Sequence, residues 1–96
     1  MTHEQLQKAV ISRCDTMRLW WFHANDHPLN RRGWVDLVIL GRNGGLFAEI
    51  KSEDDRRTMD QIRCAGYIAQ AGLQYRLWHP GDLDDGTIDK ELEAIR

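Results

Sequence analysis

The chain has 96 residues, which suits one domain, and we expect residues 1–96 to form a single domain. Its 42% apolar and 29% charged residues are typical of a soluble globular protein and exclude a disordered or fibrous one. The formal net charge of −2 gives no basic surplus for nucleic acid, but residues 80–96 hold six acids and two bases, which leaves eleven bases against nine acids in residues 1–79.

The periodicity of apolar residues predicts an α/β fold in the order α-β-β-β-α-β-α, with a mixed four-stranded sheet flanked by helices. Two capping boxes, Thr2 with Gln5 and Thr58 with Gln61, mark helix starts. The predicted elements are a helix over 3–18, a strand over 19–24, a loop over 25–33, strands over 35–40 and 46–51, a polar connection over 52–57, a helix from Thr58 to Gly72, a strand over 74–78 ended by Pro80-Gly81, and a helix marked by Ile88, Leu92 and Ile95.

The chain has no apolar run of the roughly 20 residues that cross a bilayer, and MTHEQLQKAV lacks the pattern of a secretory signal. Cys14 and Cys64 lie 50 positions apart, which fits neither a disulfide framework nor a zinc motif. We therefore expect a protein of the reducing cytoplasm without a membrane partner.

The two central strands are predicted to form a β-hairpin. Asn43-Gly44 is the preferred dipeptide for a two-residue type I′ turn, and a turn at these residues sets Arg42 opposite Gly45. The predicted site depends on this register, because a one-residue slip of the strand pairing moves the side chains of one strand to the other face of the sheet. We expect a turn displaced by one position to abolish the site described next.

In this register Asp36 lies opposite Lys51, and side-chain alternation puts both on one face with Glu49, whereas Trp34 is expected on the other face. Buried carboxylates are costly unless they are paired or bind a cation, and Mg²⁺ commonly takes one or two carboxylates plus water. The three residues thus predict either a metal site or an ordinary cross-strand ion pair between Asp36 and Lys51. The spacing alone leaves both alternatives open.

The residues around this core resemble the VRR-NUC family of PD-(D/E)xK nucleases over nearly the whole chain. The resemblance implies a restriction-endonuclease-like core and a Mg²⁺- or Mn²⁺-dependent DNA endonuclease. The small size resembles that of phage or mobile-element enzymes acting on branched DNA, such as Holliday junctions, in repair, recombination or replication. The matching motifs are Glu4-Gln5-Leu6-Gln7, Gly33-x-x-Asp36, Glu49-Ile50-Lys51, Gln61, Ala71-Gly72, Trp78-His79-Pro80 and Asp82-Leu83.

The resemblance also assigns roles to residues of the site. It implies that Asp36 and Glu49 bind the metal ion with the main-chain carbonyl of Ile50, that Lys51 is the catalytic lysine, and that Gln61 supports it from the second helix. The family usually has proline before the aspartate, where this chain has valine. Proline there shapes the backbone and carries no chemistry, so the catalytic set is complete.

Three further groups of residues have a functional and a structural interpretation. Glu4 is implied as an additional acidic ligand, but an acid in a first helical turn also complements the helix dipole, and Gln61 also closes its capping box. The spacing of His23 and His27 does not indicate a zinc site. Arg31, Arg32, Arg56 and Arg57 are predicted to contact DNA phosphates or to be solvated loop charges.

Two expectations concern assembly. The four tryptophans are expected in the core or an interface, and the short chain with its aromatic surplus suggests a homodimer. Alternatively, the chain is a nuclease subunit that needs a replication or repair partner, such as a helicase, for its activity. The competing function is a catalytically inactive nuclease fold that binds nucleic acid or a partner protein. Val35 and the lack of a basic surplus favour it, whereas the intact Asp36, Glu49 and Lys51 oppose it.

Overall fold

The computed structural model describes residues 1–24 and 31–96, and in them four strands form one mixed sheet in the order β1-β2-β3-β4. The first three strands are antiparallel, and β4 runs parallel to β3. The predicted fold class is confirmed.

Of the loop predicted over 25–33, residues 25–30 lie outside the described residues. The elements are α1 (His3–Thr16), β1 (Trp20–His23), β2 (Leu37–Gly41), β3 (Gly44–Ile50), α2 (Met59–Gln70), β4 (Tyr75–Trp78), α3 (Pro80–Asp84) and α4 (Thr87–Ile95).

The first helix begins at its predicted capping box. The Thr2 hydroxyl accepts from the Gln5 backbone N–H at 3.1 Å, and the Gln5 side chain accepts from the Thr2 N–H at 2.9 Å. The helix ends at Thr16, two residues before the predicted end, because Arg18 takes a positive φ of 58° that a helix cannot continue through.

The element order differs from the prediction by one short helix, α3, so that the observed order is α-β-β-β-α-β-α-α. Pro80 ends β4 as predicted, but it also occupies the first position of a helix, where its missing N–H is no loss. The Asp82 carboxylate accepts from the backbone N–H of His79 at 2.8 Å, which stabilises this start. The longest helix among the described residues, α1, has 14 residues, too few to span a bilayer.

The main core lies on one face of the sheet, between the sheet and the helices α1 and α4. A second, smaller set of buried residues, formed by Val35, Ala65 and Ile68, stands apart from that core and belongs to the α2 side. Glu49 is the one charged side chain that is buried among the described residues. The main core consists of Leu6, Val10, Cys14, Leu19, Leu37, Ile39, Leu46, Ala48, Ile50, Trp78, Ile88, Leu92 and Ile95.

The β2–β3 hairpin is present, but its turn is one position earlier than predicted. Gly41 pairs with Gly44, so Arg42 and Asn43 are the turn residues, and Leu40 rather than Arg42 lies opposite Gly45. Neither turn residue has a positive φ, which excludes the predicted type I′ turn. The prediction of turn type and turn position was therefore wrong.

Contacts with the carboxyl end of α4 explain the observed turn. The backbone N–H of Asn43 donates to the carbonyl of Ile95 at 2.9 Å, and the Asn43 amide donates to the carbonyl of Arg96 at 2.6 Å. A Cβ at Gly41 would lie 2.0 Å from the Ile95 carbonyl oxygen, so only glycine permits this approach. The turn satisfies two carbonyl groups that the end of the helix leaves without partners.

The displaced turn does not separate the predicted site residues, contrary to our expectation. Moving a two-residue turn by one position changes each cross-strand partner by two, and residues two apart share a face. The observed register, continued one residue past Leu37 and Ala48, brings Asp36 opposite Glu49 instead of Lys51. The two carboxylates are thereby closer neighbours than the predicted register made them.

Candidate active site

Asp36 lies just before β2 and is held from three sides. Its carboxylate accepts from the backbone N–H of Ile50 at 2.7 Å and lies 3.3 Å from Nε2 of His3. Its own carbonyl accepts from Nδ1 of His23 at 2.9 Å. These contacts fix the Asp36 side chain beside the end of β3.

Glu49 lies on β3 with only 2% of its surface exposed. One carboxylate oxygen, Oε1, accepts from Nε2 of Gln61 at 2.8 Å, whereas the buried Oε2 has no hydrogen-bond donor among the described residues. A buried carboxylate oxygen without a donor or cation is costly. Oε2 is thus the atom of this site that calls for a proton or a positive ion.

The environment of Glu49 opposes its ionisation. Its pKa is raised from 4.5 to about 8, first by burial and then by the charge of the Asp36 carboxylate and hydrogen bonding with it. The positive charges of Lys51 and Arg57 oppose this rise of the pKa. The raised pKa favours the protonated form of Glu49 in the metal-free protein.

The N-terminus of α2 supplies Gln61. Its side-chain oxygen accepts from the Thr58 backbone N–H at 2.8 Å, which closes the predicted capping box, and its side-chain nitrogen holds Glu49. One amide thus closes the predicted capping box and also contacts the site, at Glu49 and not at Lys51, where its support was expected. Gly33, at φ 84°, lets the chain before Asp36 approach α2, because a Cβ there would lie 2.3 Å from the Asp60 carbonyl carbon.

Lys51 follows Glu49 by two residues, and its backbone N–H continues the parallel ladder by donating to the Trp78 carbonyl at 3.0 Å. Alternation therefore puts Lys51 on the face of Glu49, whose pKa its charge lowers. No ion pair within 4.0 Å joins Lys51 to Asp36, so the alternative of an ordinary cross-strand ion pair is not what these two described residues form.

Glu4 does not join this cluster. Its side chain is 75% exposed and pairs with Lys8 at 3.2 Å, so the helix-dipole interpretation of Glu4 fits its place in the first turn of α1. His3 is the residue of α1 that reaches Asp36, and the sequence interpretation missed it. The available signal was the inward stripe of Leu6 and Val10, which His3 extends by one turn.

The four predicted arginines lie in two places. Arg57 lies near Glu49 with its guanidinium 5.9 Å from the Tyr75 ring centroid, whereas Arg56 is exposed in the connection before α2. Arg31 and Arg32 are exposed and border a groove beside α2. His27 lies outside the described residues.

Of the tryptophans, Trp78 is in the core as expected, while Trp20 and Trp34 are exposed. Trp34 packs edge-on against Phe47 with a centroid distance of 6.0 Å, so it shares the face of Glu49. The expectation that Trp34 points to the face opposite Asp36 was wrong, because positions two apart in an extended chain point the same way.

The site fits a divalent cation. Among residues 1–24 and 31–96, no three His, Cys, Asp or Glu side chains converge as ligands of one ion. Two carboxylates completed by a main-chain carbonyl and water are, however, the kind of set that Mg²⁺ takes. A cation would also satisfy the Oε2 atom of Glu49 and remove the repulsion between Glu49 and Asp36.

Comparison with known proteins identifies the fold. No protein-family model matches the chain, and no curated protein sequence matches it. Among solved structures, the chain is similar to a "VRR_NUC domain protein", with a TM-score of 0.76 and 17% sequence identity over 98% of this chain and 90% of that chain. The chain thus has the fold of a VRR_NUC domain, which confirms the predicted resemblance at the level of structure.

Proposed function

We propose that this protein is a metal-dependent DNA endonuclease of the VRR-NUC type that hydrolyses phosphodiester bonds. The observation that carries the proposal is the buried Glu49, whose Oε2 atom lacks a donor while the carboxylate of Asp36 lies beside it. A fold gains nothing in stability from a buried carboxylate with a second carboxylate beside it, but an ion site requires such a pair. The fold shared with a VRR_NUC domain protein supports the same function.

In this proposal Asp36, Glu49 and the carbonyl of Ile50 hold Mg²⁺ or Mn²⁺. When bound, the ion activates water, orients the phosphate and neutralises developing negative charge. The hydrogen bond from Gln61 keeps Oε1 of Glu49 in place, so that Oε2 remains for the ion. The Ile50 N–H orients the carboxylate of Asp36 in the same way.

Lys51 is the residue that we expect to act on the phosphate itself. Its ammonium is on the face of Glu49 and makes no ion pair with Asp36, so it can approach the scissile phosphate and stabilise charge in the transition state. Arg57 is the second positive group near the carboxylates, and we expect it to contact a flanking phosphate. Arg56 is expected to add a contact from solvent.

We further propose branched DNA as substrate and a homodimer as the active form. An exposed apolar strip supports self-association: Trp20 and Phe22 on the edge strand β1 stack with a centroid distance of 6.3 Å, and Leu40 of β2 is exposed beside Trp20. Phe22→Glu should convert such a dimer to a monomer in analytical ultracentrifugation. A monomeric wild-type protein at micromolar concentration would contradict the dimer.

The test of the function is a cleavage assay on branched and linear DNA with Mg²⁺, Mn²⁺ or EDTA. Wild type, Lys51→Ala and the control Lys90→Ala, which changes an exposed lysine of α4, are compared. We expect cleavage by wild type and by the control in the presence of either ion, and a loss of at least a hundredfold for Lys51→Ala, the scale of a transition-state contact.

Two outcomes would refute the proposal, and a third would modify it. Cleavage that persists in EDTA or in Lys51→Ala would indicate a contaminating enzyme. Binding of DNA without cleavage of any substrate would favour the inactive nucleic-acid-binding module, and cleavage that appears only after a helicase or repair protein is added would show that a partner is required.

A further inference from the structure

A groove that the proposed cleavage site does not use lies between α2 and residues 31–34. Its volume is about 430 Å³, within the roughly 300–1,000 Å³ of sites that hold small organic molecules. Ile68 and Leu73 contribute apolar surface to its lining, and Trp34 and Tyr67 contribute aromatic rings. Tyr67 is 70% exposed, so its ring is free to contact a ligand.

The rim of the groove is basic. Arg31, Arg32 and Arg63 line it, and the one acidic lining residue, Asp60, lies 3.6 Å from Arg63 and is already paired with it. This concentration of guanidinium groups contrasts with the net charge of −2 of the whole chain. Apolar and aromatic surface inside a ring of arginines is complementary to a flat heterocycle that carries phosphates.

The groove and the proposed cleavage site share the first turns of α2. Asp60 borders the groove, and the next residue, Gln61, donates to Glu49. Cys64, one turn further, lines the groove as well. A nucleotide in the groove would therefore lie beside a phosphate at the carboxylates, so that one DNA strand can reach both.

We propose that this groove binds an unpaired nucleotide of the DNA substrate, with its base against Trp34 and Tyr67 and its phosphates against the arginines. The inference rests on the proposed function and makes it more specific, because it requires a single-stranded segment beside the cleavage point. Bases inside a duplex are stacked and paired and cannot enter such a groove. Binding through aromatic faces and backbone phosphates tolerates any base.

Binding measured in EDTA tests this inference without any need for catalysis. Fluorescence anisotropy compares a labelled ten-nucleotide oligo-dT with a blunt duplex of mixed sequence for wild type, Tyr67→Ala and Tyr67→Phe. Tyr67 is the residue of choice because it is exposed, whereas Trp34 also packs on Phe47. Arg63→Ala removes an arginine that lines the groove. Arg42→Ala, which removes an exposed arginine in the distant hairpin turn, is its matched control.

We expect tighter binding of oligo-dT than of the duplex by the wild type. Tyr67→Ala should weaken oligo-dT binding about tenfold, the scale of one stacked base, while Tyr67→Phe and Arg42→Ala stay within twofold of wild type. Arg63→Ala should weaken it and lower its dependence on salt. Thermal melting of each variant confirms that the fold is kept.

Equal effects of Tyr67→Ala on oligo-dT and duplex, or no effect on either, would overturn the inference. The outcome is separate from that of the cleavage assay. If Tyr67→Ala selectively loses oligo-dT binding but the protein never cuts DNA, the nucleotide-binding groove is supported and the nuclease function is refuted. If the protein cuts DNA and cleavage depends neither on Tyr67 nor on single-stranded arms, the nuclease function is supported and the nucleotide-binding groove is refuted.

Discussion

Replacing Glu49 with glutamine should stabilise the metal-free protein at neutral and alkaline pH. Glutamine has nearly the shape of glutamate, keeps an oxygen for the hydrogen bond from Gln61, and offers an N–H to Asp36 in place of the proton that Glu49 must hold. The substitution removes the ionisable group and leaves the packing of β3 in place. It therefore isolates what the buried carboxyl costs the fold.

The size of the effect follows from the pKa of Glu49, which folding raises from 4.5 to about 8. Between these values the folded protein holds a proton that the unfolded chain has released, so stability is full below pH 4.5 and falls as pH rises toward about 8. One pKa unit corresponds to about 1.4 kcal/mol. Allowing for screening by solvent at the site opening, we expect the loss to be on the order of 2–3 kcal/mol.

Urea unfolding in EDTA at pH 4.5, 6 and 8, followed by tryptophan fluorescence, measures this difference. The free energies of unfolding of wild type and Glu49→Gln should nearly coincide at the lowest pH and diverge by about 2–3 kcal/mol at the highest. Glu4→Gln, which changes an exposed carboxylate, is the matched control and should follow wild type. Parallel curves for wild type and Glu49→Gln would show that Glu49 titrates normally and would refute the reasoning.

Three further predictions concern the hairpin, the second helix and the ion. Gly41→Ala forces a Cβ to within 2.0 Å of the Ile95 carbonyl and should lower the free energy of unfolding by about 1–3 kcal/mol in urea titration, and an unchanged midpoint would contradict this contact. Thr58→Ala removes the hydroxyl that accepts from the Gln61 backbone N–H and should lower the free energy of unfolding by about 1 kcal/mol. It should reduce cleavage as well, because the first turn of α2, which carries the Gln61 side chain to Glu49, becomes less stable; full activity would contradict this coupling. Mg²⁺ should raise the melting temperature of wild type more at pH 8 than at pH 6, because the ion competes with the proton on Glu49. The melting temperature of Glu49→Gln should not change with Mg²⁺. Equal shifts in both proteins would show that the ion binds elsewhere.

Much of the site was predictable because strand alternation depends on parity alone. Asp36, Glu49 and Lys51 are separated by spacings that keep them on one face in any hairpin whose turn contains two residues, wherever that turn begins. The capping box at Thr58 likewise fixed the start of α2 and, with it, the place of Gln61. These features are local in sequence, so the sequence pattern is sufficient for them.

The features that the sequence did not predict depend on contacts between distant segments. The position of the hairpin turn is decided by hydrogen bonds from Asn43 to Ile95 and Arg96, more than fifty residues away, which outweigh the local preference of Asn43-Gly44 for a type I′ turn. The choice of His3 over Glu4 depends on how α1 is rotated against the sheet. The stripe of Leu6 and Val10 indicates which side of α1 faces inward, but the contact of His3 with Asp36 also depends on where α1 lies along the sheet.

The dependence of the site on α2 suggests how function and stability are joined in this fold. Gln61 uses one amide to cap the helix and to hold Glu49, so the carboxylate site is complete only when the first turn of α2 is formed. Yet α2 buries only Ala65 and Ile68, fewer residues than α1 or α4. Regions with few buried apolar residues open most readily. An ion or a DNA strand that stabilises the site therefore also stabilises the least anchored long helix, and loss of either should be felt first at the N-terminus of α2.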